Sequence, residues 1–472
     1  MLIRFNVGNF LSFDEIREFS MISEMEGSNT GRIYNDGKLK LLKFSAVYGA
    51  NASGKSNLIK ALEFMQETVT KTLPEKHTAK YCRTDRKNSE KNSYFELELK
   101  VGDKYFSYGF EVLLEKSFIT SEWLYEILPE NEEAEIFFRD TKSGEYRVEK
   151  YFSDKKIVNK LEVYADDVKT DGGILFLRLM NRNKDGFYRG HKEACVLKDI
   201  FQWFKLQLDI NYPDRPITDN NYFITDDNID EVSRIISAFG TGISRINIVK
   251  VSADNFSKLI PSNLSAKISK SLEDMKKDSE KNSMFVRNGR KAFFILELDE
   301  EGNTICKTIE FSHGDTDMQF SLEEESDGTI RILDFLEVLL NKVDEKVYIL
   351  DEIDRCLHPQ LTYKFIEIFL EIAQEKNVQL IVTTHESRLL DFNLLRRDEI
   401  WFVNRKDDGS SDIYSLNEYN MRFDSMIDVA YLEGRYGGVP VFKNVFSSVI
   451  NEGKEEYENQ EEFRGENSDE EL

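Results

Sequence analysis

From residue 1 to 13 apolar and polar positions alternate, with Ile3, Phe5 and Val7 on one face, which predicts a strand. A second apolar run, residues 39–48, carries Leu41, Leu42, Phe44, Ala46 and Val47 into a glycine-rich turn. From Asn57 to about Thr72 the period lengthens, and Ile59, Leu62 and Met65 recur at the three-residue spacing of one helix face. Short runs follow at 94–99, 105–113, 123–127, 136–138 and 146–148, which predict an antiparallel β subdomain. Helical spacing dominates residues 153–283, most clearly at 230–239 and at 265–282, where Ile268, Leu272 and Met275 share a face. That last stripe is short, so a compact helical insertion is expected rather than long coiled-coil arms. Strands resume at 292–298 and 305–311, and from 325 to about 402 strands alternate with helices, as in an α/β lobe. No internal repeat is visible.

Size and composition fit this division. The chain has 472 residues, more than one core usually organises, so two lobes or a large insertion are expected. Apolar residues make up 40%, there are 34 Phe, and only 7 Pro, a composition for folding rather than for long linkers. No apolar run reaches membrane-spanning length, and the first residues lack the apolar core of a signal peptide. Cys82, Cys195, Cys306 and Cys356 are far apart with no CxxC spacing, which suits a reducing cytoplasm and suggests neither zinc site nor disulfide framework. The net charge is −24, and residues 452–472 hold ten acidic against two basic side chains. That tail is too polar to fold alone and is expected to be disordered, with an acidic docking peptide as the alternative. The acidic body disfavours broad contact with a phosphate backbone, although a local basic groove stays open.

Four stretches carry chemistry. Gly49-Ala50-Asn51-Ala52-Ser53-Gly54-Lys55-Ser56 is a complete GxxxxGK[ST], placed after an apolar strand and before a helix. Glycines let backbone amides wrap phosphates, and the helix start adds partial positive charge. Lys55 would reach the β- and γ-phosphates, and Ser56 would ligate Mg²⁺. Val347-Tyr348-Ile349-Leu350-Asp351-Glu352 reads as a buried parallel strand delivering two carboxylates to its carboxyl edge. Asp351 would hold Mg²⁺, and Glu352 would act as general base on water. An Asp-Glu pair can also simply end a solvated turn; beside a phosphate loop the catalytic reading is preferred. Residues 379–385 form a third apolar strand ending at His385, placed to sense a γ-phosphate, where a lone histidine would otherwise be structural. Finally, Glu325-Ser326-Asp327-Gly328-Thr329 opens a helix with Ile330, Leu333, Leu336 and Leu340 on one face. Alone it reads as an ordinary N-cap; as a second anion-ready helix start it would need a phosphate supplied by another copy of the chain.

The order of these motifs resembles an ABC-type ATPase of the SMC, RecF and OLD grouping. Asn9-Phe10-Leu11-Ser12-Phe13 resembles its Asn-Phe-x-Ser-Phe opening. Residues 351–359 resemble its Asp-Glu-Pro-Glu-x-x-Leu-His-Pro stretch, with Ile353 for Pro and Asp354 for Glu. Glu-Ser-x-Gly-Thr at 325–329, Thr-Thr-His at 383–385 and the segments 395–402 and 431–437 resemble the standalone AAA-type ATPases of bacterial abortive-infection and anti-phage operons, AbiL-like and PARIS-type ATPases among them.

The resemblance implies an α/β fold, an ABC-type P-loop ATPase head with an antiparallel β subdomain and a helical insertion. Its parts would be residues 1–152 (first ATPase lobe), 153–283 (helical insertion), 284–451 (second lobe) and 452–472 (acidic tail). It implies ATP and Mg²⁺ as ligands and a homodimer or larger oligomer sandwiching ATP between heads. Gly49, Asn51, Gly54, Lys55, Ser56 and Asn57 would cradle the phosphates, Ser326 and Gly328 would contact the γ-phosphate held by the other subunit, and Asp354 would lie in the loop crossing the interface. Lys55, Glu352 and His385 would carry the hydrolysis. No clear Q-loop glutamine is found among Gln66, Gln202 and Gln207. Asn404-Arg405-Lys406-Asp407 places its Lys one position too late for a guanine-reading motif, and 287–291 reads as an exposed basic turn.

The 87 residues after His385 are too few for the nuclease domain fused in OLD-type relatives. A cytoplasmic sensor and scaffold of an anti-phage system is therefore expected. It would control a separate effector, a TOPRIM-type or other nuclease, in answer to a phage trigger protein. The alternatives are a RecF-like repair ATPase that clamps DNA and, less well supported, the nucleotide-binding subunit of a transporter. No membrane association is expected.

Overall fold

The computed structural model describes residues 1–25, 30–129, 132–148, 151–213, 228–252, 256, 262–277, 283–288, 292–299, 301–316, 318–340, 343–418 and 427–436. The acidic tail 452–472 and positions 289–291 of the basic turn lie outside the described residues. Alternating apolar positions give β1 (Leu2–Gly8) and β2 (Arg17–Ser20). The apolar run at 39–48 is divided by Lys43. Before it, β3 (Ile33–Asn35) and β4 (Lys40–Leu42) form a small hairpin; after it comes β5 (Phe44–Tyr48), buried along its whole length. Helix α1 (Lys55–Thr70) follows. Next come β6 (Ser93–Val101), β7 (Lys104–Leu113), β8 (Phe118–Ile127), β9 (Glu133–Asp140) and β10 (Glu145–Arg147).

Four helices, α2 (Lys155–Asp166), α3 (Phe176–Met180), α4 (Asp185–Gly190) and α5 (Cys195–Gln202), lead into β11 (Leu208–Asn211). Then follow α6 (Ile229–Ala238), β12 (Ile243–Lys250), α7 (Ser262–Lys277), β13 (Ser283–Asn288), β14 (Ala292–Leu298), β15 (Thr304–His313) and β16 (Phe320–Ser321). The final series is α8 (Asp327–Leu340), β17 (Val347–Leu350), α9 (Pro359–Glu375), β18 (Gln379–Thr384), β19 (Ile400–Arg405), β20 (Ser411–Ser415) and α10 (Ile427–Leu432).

Three sheets organise the mixed α/β fold. The first is antiparallel throughout, in the order β10-β9-β8-β7-β6-β1-β2. The second, β11-β17-β18-β5-β19-β20, is parallel except for its last strand. The third joins β12-β15-β14-β13, with β16 on β15, all antiparallel. The region 153–283 is thus not wholly helical, since β11 enters the parallel sheet and β12 the third sheet. Strand β5, read from the first lobe, is enclosed between β18 and β19, so the phosphate loop, the acidic pair and the histidine belong to one sheet.

Helix α1 lies between the first and second sheets. Its Phe64 ring stacks on Phe95 of β6 at 4.9 Å between centroids, and Phe95 continues to Phe110 of β7 at 5.3 Å. The same face of the first sheet, farther toward β9, is fastened by a buried ion pair, Arg139 Nη2 to Glu122 Oε2 at 3.1 Å, both side chains fully enclosed. Glu122 also accepts from the amides of Phe176 and Leu177, at the head of α3, and from the Tyr108 hydroxyl. Burial pushes the Glu122 carboxyl above its ordinary range, and Arg139 opposes that shift. Among the described residues no helix is long and apolar enough to cross a membrane.

Candidate functional site

Strand β5 ends at the carboxyl edge of the parallel sheet, and residues 49–56 carry the chain from there into α1. Gly49 runs so close to β19 that an added Cβ would collide with the Val403 carbonyl oxygen and Ser53 Oγ. Gly54 has φ +117°, and an added Cβ would strike Ser411 Oγ. Gly49 needs glycine for space, and Gly54 for both space and conformation. Because α1 starts at Lys55, the unpaired amides of its first turn face the same opening.

Lys55 is 6% exposed, and its Nζ donates to the carbonyls of Gly49 (2.7 Å) and Ala50 (3.2 Å). It also lies 3.0 Å from Nε2 of His385. An ammonium only donates, so this ring nitrogen accepts and the proton sits on Nδ1. Burial draws the Lys55 pKa down to about 8, against the opposing pull of Asp351, Asp354 and Glu352. Burial, and then Lys55, also lower that of His385, so the imidazole is held neutral.

Across the sheet edge, Ser56 Oγ donates to Asp351 Oδ1 at 3.1 Å, and Thr383 Oγ1 donates to the same oxygen at 2.6 Å. Thr383 Oγ1 in turn accepts from the Glu352 amide at 2.8 Å. Glu352 has φ +48°, a left-handed backbone at a non-glycine residue, and its side chain is 38% exposed with Arg355 Nη1 at 3.6 Å. Asp354 Oδ1 accepts from Thr384 Oγ1 (2.7 Å) and the His385 amide (3.2 Å), which fastens the loop after β17 to the end of β18.

Asn51, Gly54, Lys55, Ser56, Asn57, Glu352 and His385 line one open cleft of about 710 Å³. Gly49, Asp351 and Asp354 do not line it. Ser326 and Gly328 do not line it. Ser326 Oγ instead accepts from the Thr329 amide at 3.1 Å, and Gly328 packs on the Cys356 carbonyl. The paired oxygens of Ser56 and Asp351 suit a hard cation that takes its other ligands from phosphate and water, as Mg²⁺ does in nucleotide sites. Among the described residues no group of three or more His, Cys, Asp or Glu side chains could hold a metal alone.

None of the three glutamines considered lines the cleft. Gln66 Nε2 donates to the carbonyls of Phe204 (2.9 Å) and Leu208 (2.7 Å), tying α1 to the start of β11. Beside the acidic strand stands Asn211, whose carbonyl accepts from the Asp351 amide (2.9 Å) and whose Oδ1 accepts from Arg331 Nη1 (2.7 Å). Arg331, on the first turns of α8, also donates to the Asp351 carbonyl at 3.1 Å. Asn211, Arg331 and the bridging role of Thr383 are not legible in the linear sequence. Of the three, only Thr383 falls inside a quoted motif.

A family profile described as "AAA domain, putative AbiEii toxin, Type IV TA system" matches residues 44–162 and 216–391. No curated protein matches the chain. Among solved structures, an SmcHead bound to the C-winged helix domain of ScpA is 13% identical, over 88% of this chain and 97% of that one, with a TM-score of 0.36. The SMC head domain from Thermotoga maritima is 12% identical over 88% and 98% of the two chains, with a TM-score of 0.31. An Smc head domain with an extended coiled coil, bound to the C-terminal domain of ScpA from Pyrococcus furiosus, is 12% identical over 92% and 99%, with a TM-score of 0.34.

Proposed function

This chain belongs to that AAA-domain family, and from this premise we propose that it binds and hydrolyses ATP in sites completed by a second copy of itself. The observation that carries the reading is the convergence of Lys55, Ser56, Glu352 and His385 on one cleft, with Asp351 directly behind Ser56. In this reading the Lys55 ammonium leaves the Gly49 and Ala50 carbonyls for the β- and γ-phosphates, and the amides of residues 54–57 hold the remaining phosphate oxygens. Ser56 and Asp351 would hold Mg²⁺, which neutralises charge on the phosphate chain when bound. Glu352 accepts a proton from the attacking water, giving ADP and phosphate. His385 touches the same ammonium and registers whether the γ-phosphate is there.

Pairing of two copies is supported by the position of Ser326 and Gly328. They open a fourteen-residue helix, yet stand outside their own chain's cleft. Arg331 ties that helix to the Asp351 carbonyl, so a phosphate held at its start in one subunit bears on the acidic strand behind the other site. Joint expression of Ser326→Trp and Lys55→Ala subunits tests the scheme. Each variant alone is inactive, while the mixed dimer retains one intact pocket and recovers ATP turnover. Recovery of no activity from well-folded mixed dimers would exclude the composite site.

The family's description supports a further reading, a cytoplasmic sensor and scaffold in anti-phage defence that restrains a separate toxic effector, a nuclease in our reading. ATP binding would shift the population of engaged heads, and a phage trigger would shift it again. Expression with its neighbouring genes should protect cells from phage and co-purify a second protein in an ATP-dependent manner. Absence of both outcomes would remove this role and leave the ATPase intact.

A further inference from the structure

The insertion between β10 and β11 breaks with the charge of the rest of the chain. Residues 178–192 hold Arg178, Arg182, Lys184, Arg189 and Lys192 against one acid, Asp185, a local charge of +4 in a chain whose net charge is −24. The stretch runs from α3 through α4, and Lys160 of α2 adjoins it. The link is aromatic. Tyr164 of α2 and Phe187 of α4 meet edge to face at 6.0 Å, with Lys184 Nζ 3.6 Å from the centroid of the first ring and Lys160 Nζ 6.0 Å from that of the second.

These cations have no anions to face. Among the described residues none of the six makes an ion pair. The nearby acids are engaged elsewhere: Asp185 with Lys198 Nζ (3.2 Å), Asp166 with Lys169 Nζ (2.8 Å), Asp154 with the Lys156 amide (2.8 Å) and Glu193 with the Ser153 amide (3.0 Å). Arg178 is half-buried, and burial together with the neighbouring Arg182 draws its pKa down. Two guanidiniums so placed repel each other, a cost that an arriving anion reverses, and their planar forks match phosphate oxygens. The surface is open to approach. Lys160, Arg182, Arg189 and Lys192 are exposed, and an added Cβ at Gly186 or Gly190 would meet nothing within 4 Å. Phe187 and Tyr188 are buried beneath it, so it offers charge more than the apolar anchors of a protein interface. At physiological ionic strength charges are screened beyond about 8 Å, so the acidic body elsewhere does not cancel a patch of this kind.

We propose that this surface of α2–α4 binds the sugar–phosphate backbone of a nucleic-acid duplex, without regard to sequence, through Lys160, Arg178, Arg182, Lys184, Arg189 and Lys192. None of these residues lines the nucleotide cleft, and the proposal does not rest on the ATP reading. Fluorescence anisotropy of the full chain with a labelled DNA duplex of random sequence, across a series of salt concentrations, tests it. Arg182→Ala combined with Arg189→Ala, both at exposed positions, should weaken binding roughly tenfold and lower the slope of log affinity against log salt by about two. Lys replacements at the same two positions keep the charge and should retain most of the affinity. Lys38→Ala combined with Lys364→Ala removes the same charge from exposed positions elsewhere and should change neither quantity. An equal loss in that control would reduce the effect to net charge and overturn the assignment. A wild-type chain that ignores the duplex at low salt, or an Arg-to-Ala pair that binds like wild type, would also overturn it. Binding that requires ATP and disappears in Lys55→Ala would place the duplex between engaged heads instead. Polyglutamate competing as well as the duplex would make the partner an acidic protein, and the nucleic-acid assignment would fall.

Discussion

Nζ of Lys55 lies 3.0 Å from Nε2 of His385, joining the head of α1 to the residue just beyond β18. The contact brings a cation and a neutral imidazole together at the point where a γ-phosphate would sit. An arriving phosphate competes for the ammonium hydrogens now given to His385 and to two backbone carbonyls.

Binding should therefore depend on pH through Lys55. Burial lowers its pKa from 10.5 to about 8, so above that value the empty site loses the charge that phosphate needs. ATP affinity should stay level below about pH 8 and fall by roughly tenfold per unit above it. The stability of the empty protein moves the other way. Below the folded pKa, both folded and unfolded chains carry the proton and the cost of burying it is complete. As pH rises from about 8 toward 10.5 the folded chain releases it first, and that cost is relieved. Affinity measured from pH 6.5 to 9.5 checks the binding half; a flat profile contradicts it.

Binding and turnover should separate by residue. Glu352→Gln keeps the shape of the site and its backbone bond to Thr383, so ATP binding should persist while turnover drops by about 10²–10⁴-fold. Lys55→Ala should lose binding itself. Equilibrium binding and steady-state hydrolysis on both variants decide, and equal loss of binding in the two would refute the assignment.

Thr383 holds the acidic pair in place without facing the ligand. Thr383→Val removes the bond to Asp351 Oδ1 and the acceptor of the Glu352 amide, costing about 1–3 kcal/mol of stability. The magnesium concentration for half-maximal turnover should rise several-fold, and Thr383→Ser, which keeps the hydroxyl, should restore it. A magnesium requirement identical in Thr383→Val and wild type would show that Asp351 is positioned by other groups.

Glu122→Gln should be among the most damaging changes remote from the cleft. It leaves the Arg139 guanidinium, fully buried, without its counter-charge, at a cost of about 3–5 kcal/mol. Replacing both partners by apolar residues of similar volume should recover part of that loss. Urea denaturation of the single and double variants measures it, and a single variant as stable as wild type would show that the pair contributes little.

What could be read from the chain depended on how local the determining pattern was. The turn from β5 through Gly49 and Gly54 into α1 is written in consecutive residues, as are the Asp351-Glu352 and Thr383-Thr384-His385 strand ends. Strand β12 was hidden because its buried residues, Ile243 and Ile246, fall three apart, the spacing of a helix. Strand β11 is four residues long and follows an apolar helical turn, too short to show a period of its own. Arg331 illustrates another limit. A charged residue on a helix is read as facing water, yet this one is buried with its two terminal nitrogens donating to the Asn211 side chain and the Asp351 carbonyl, a pairing that only the sheet order reveals.

The enclosure of β5 between β18 and β19 has a consequence for biosynthesis. Ala46 pairs with Val382 on one side and Ile400 on the other, so the strand bearing the phosphate loop leaves the ribosome more than three hundred residues before either neighbour. Throughout that interval the loop has no sheet to sit on and an apolar strand waits unpaired, a state suited to chaperone capture and slow closure. A nascent chain halted before residue 379 should therefore ignore ATP, and nucleotide capture becomes a late event that reports the completion of synthesis.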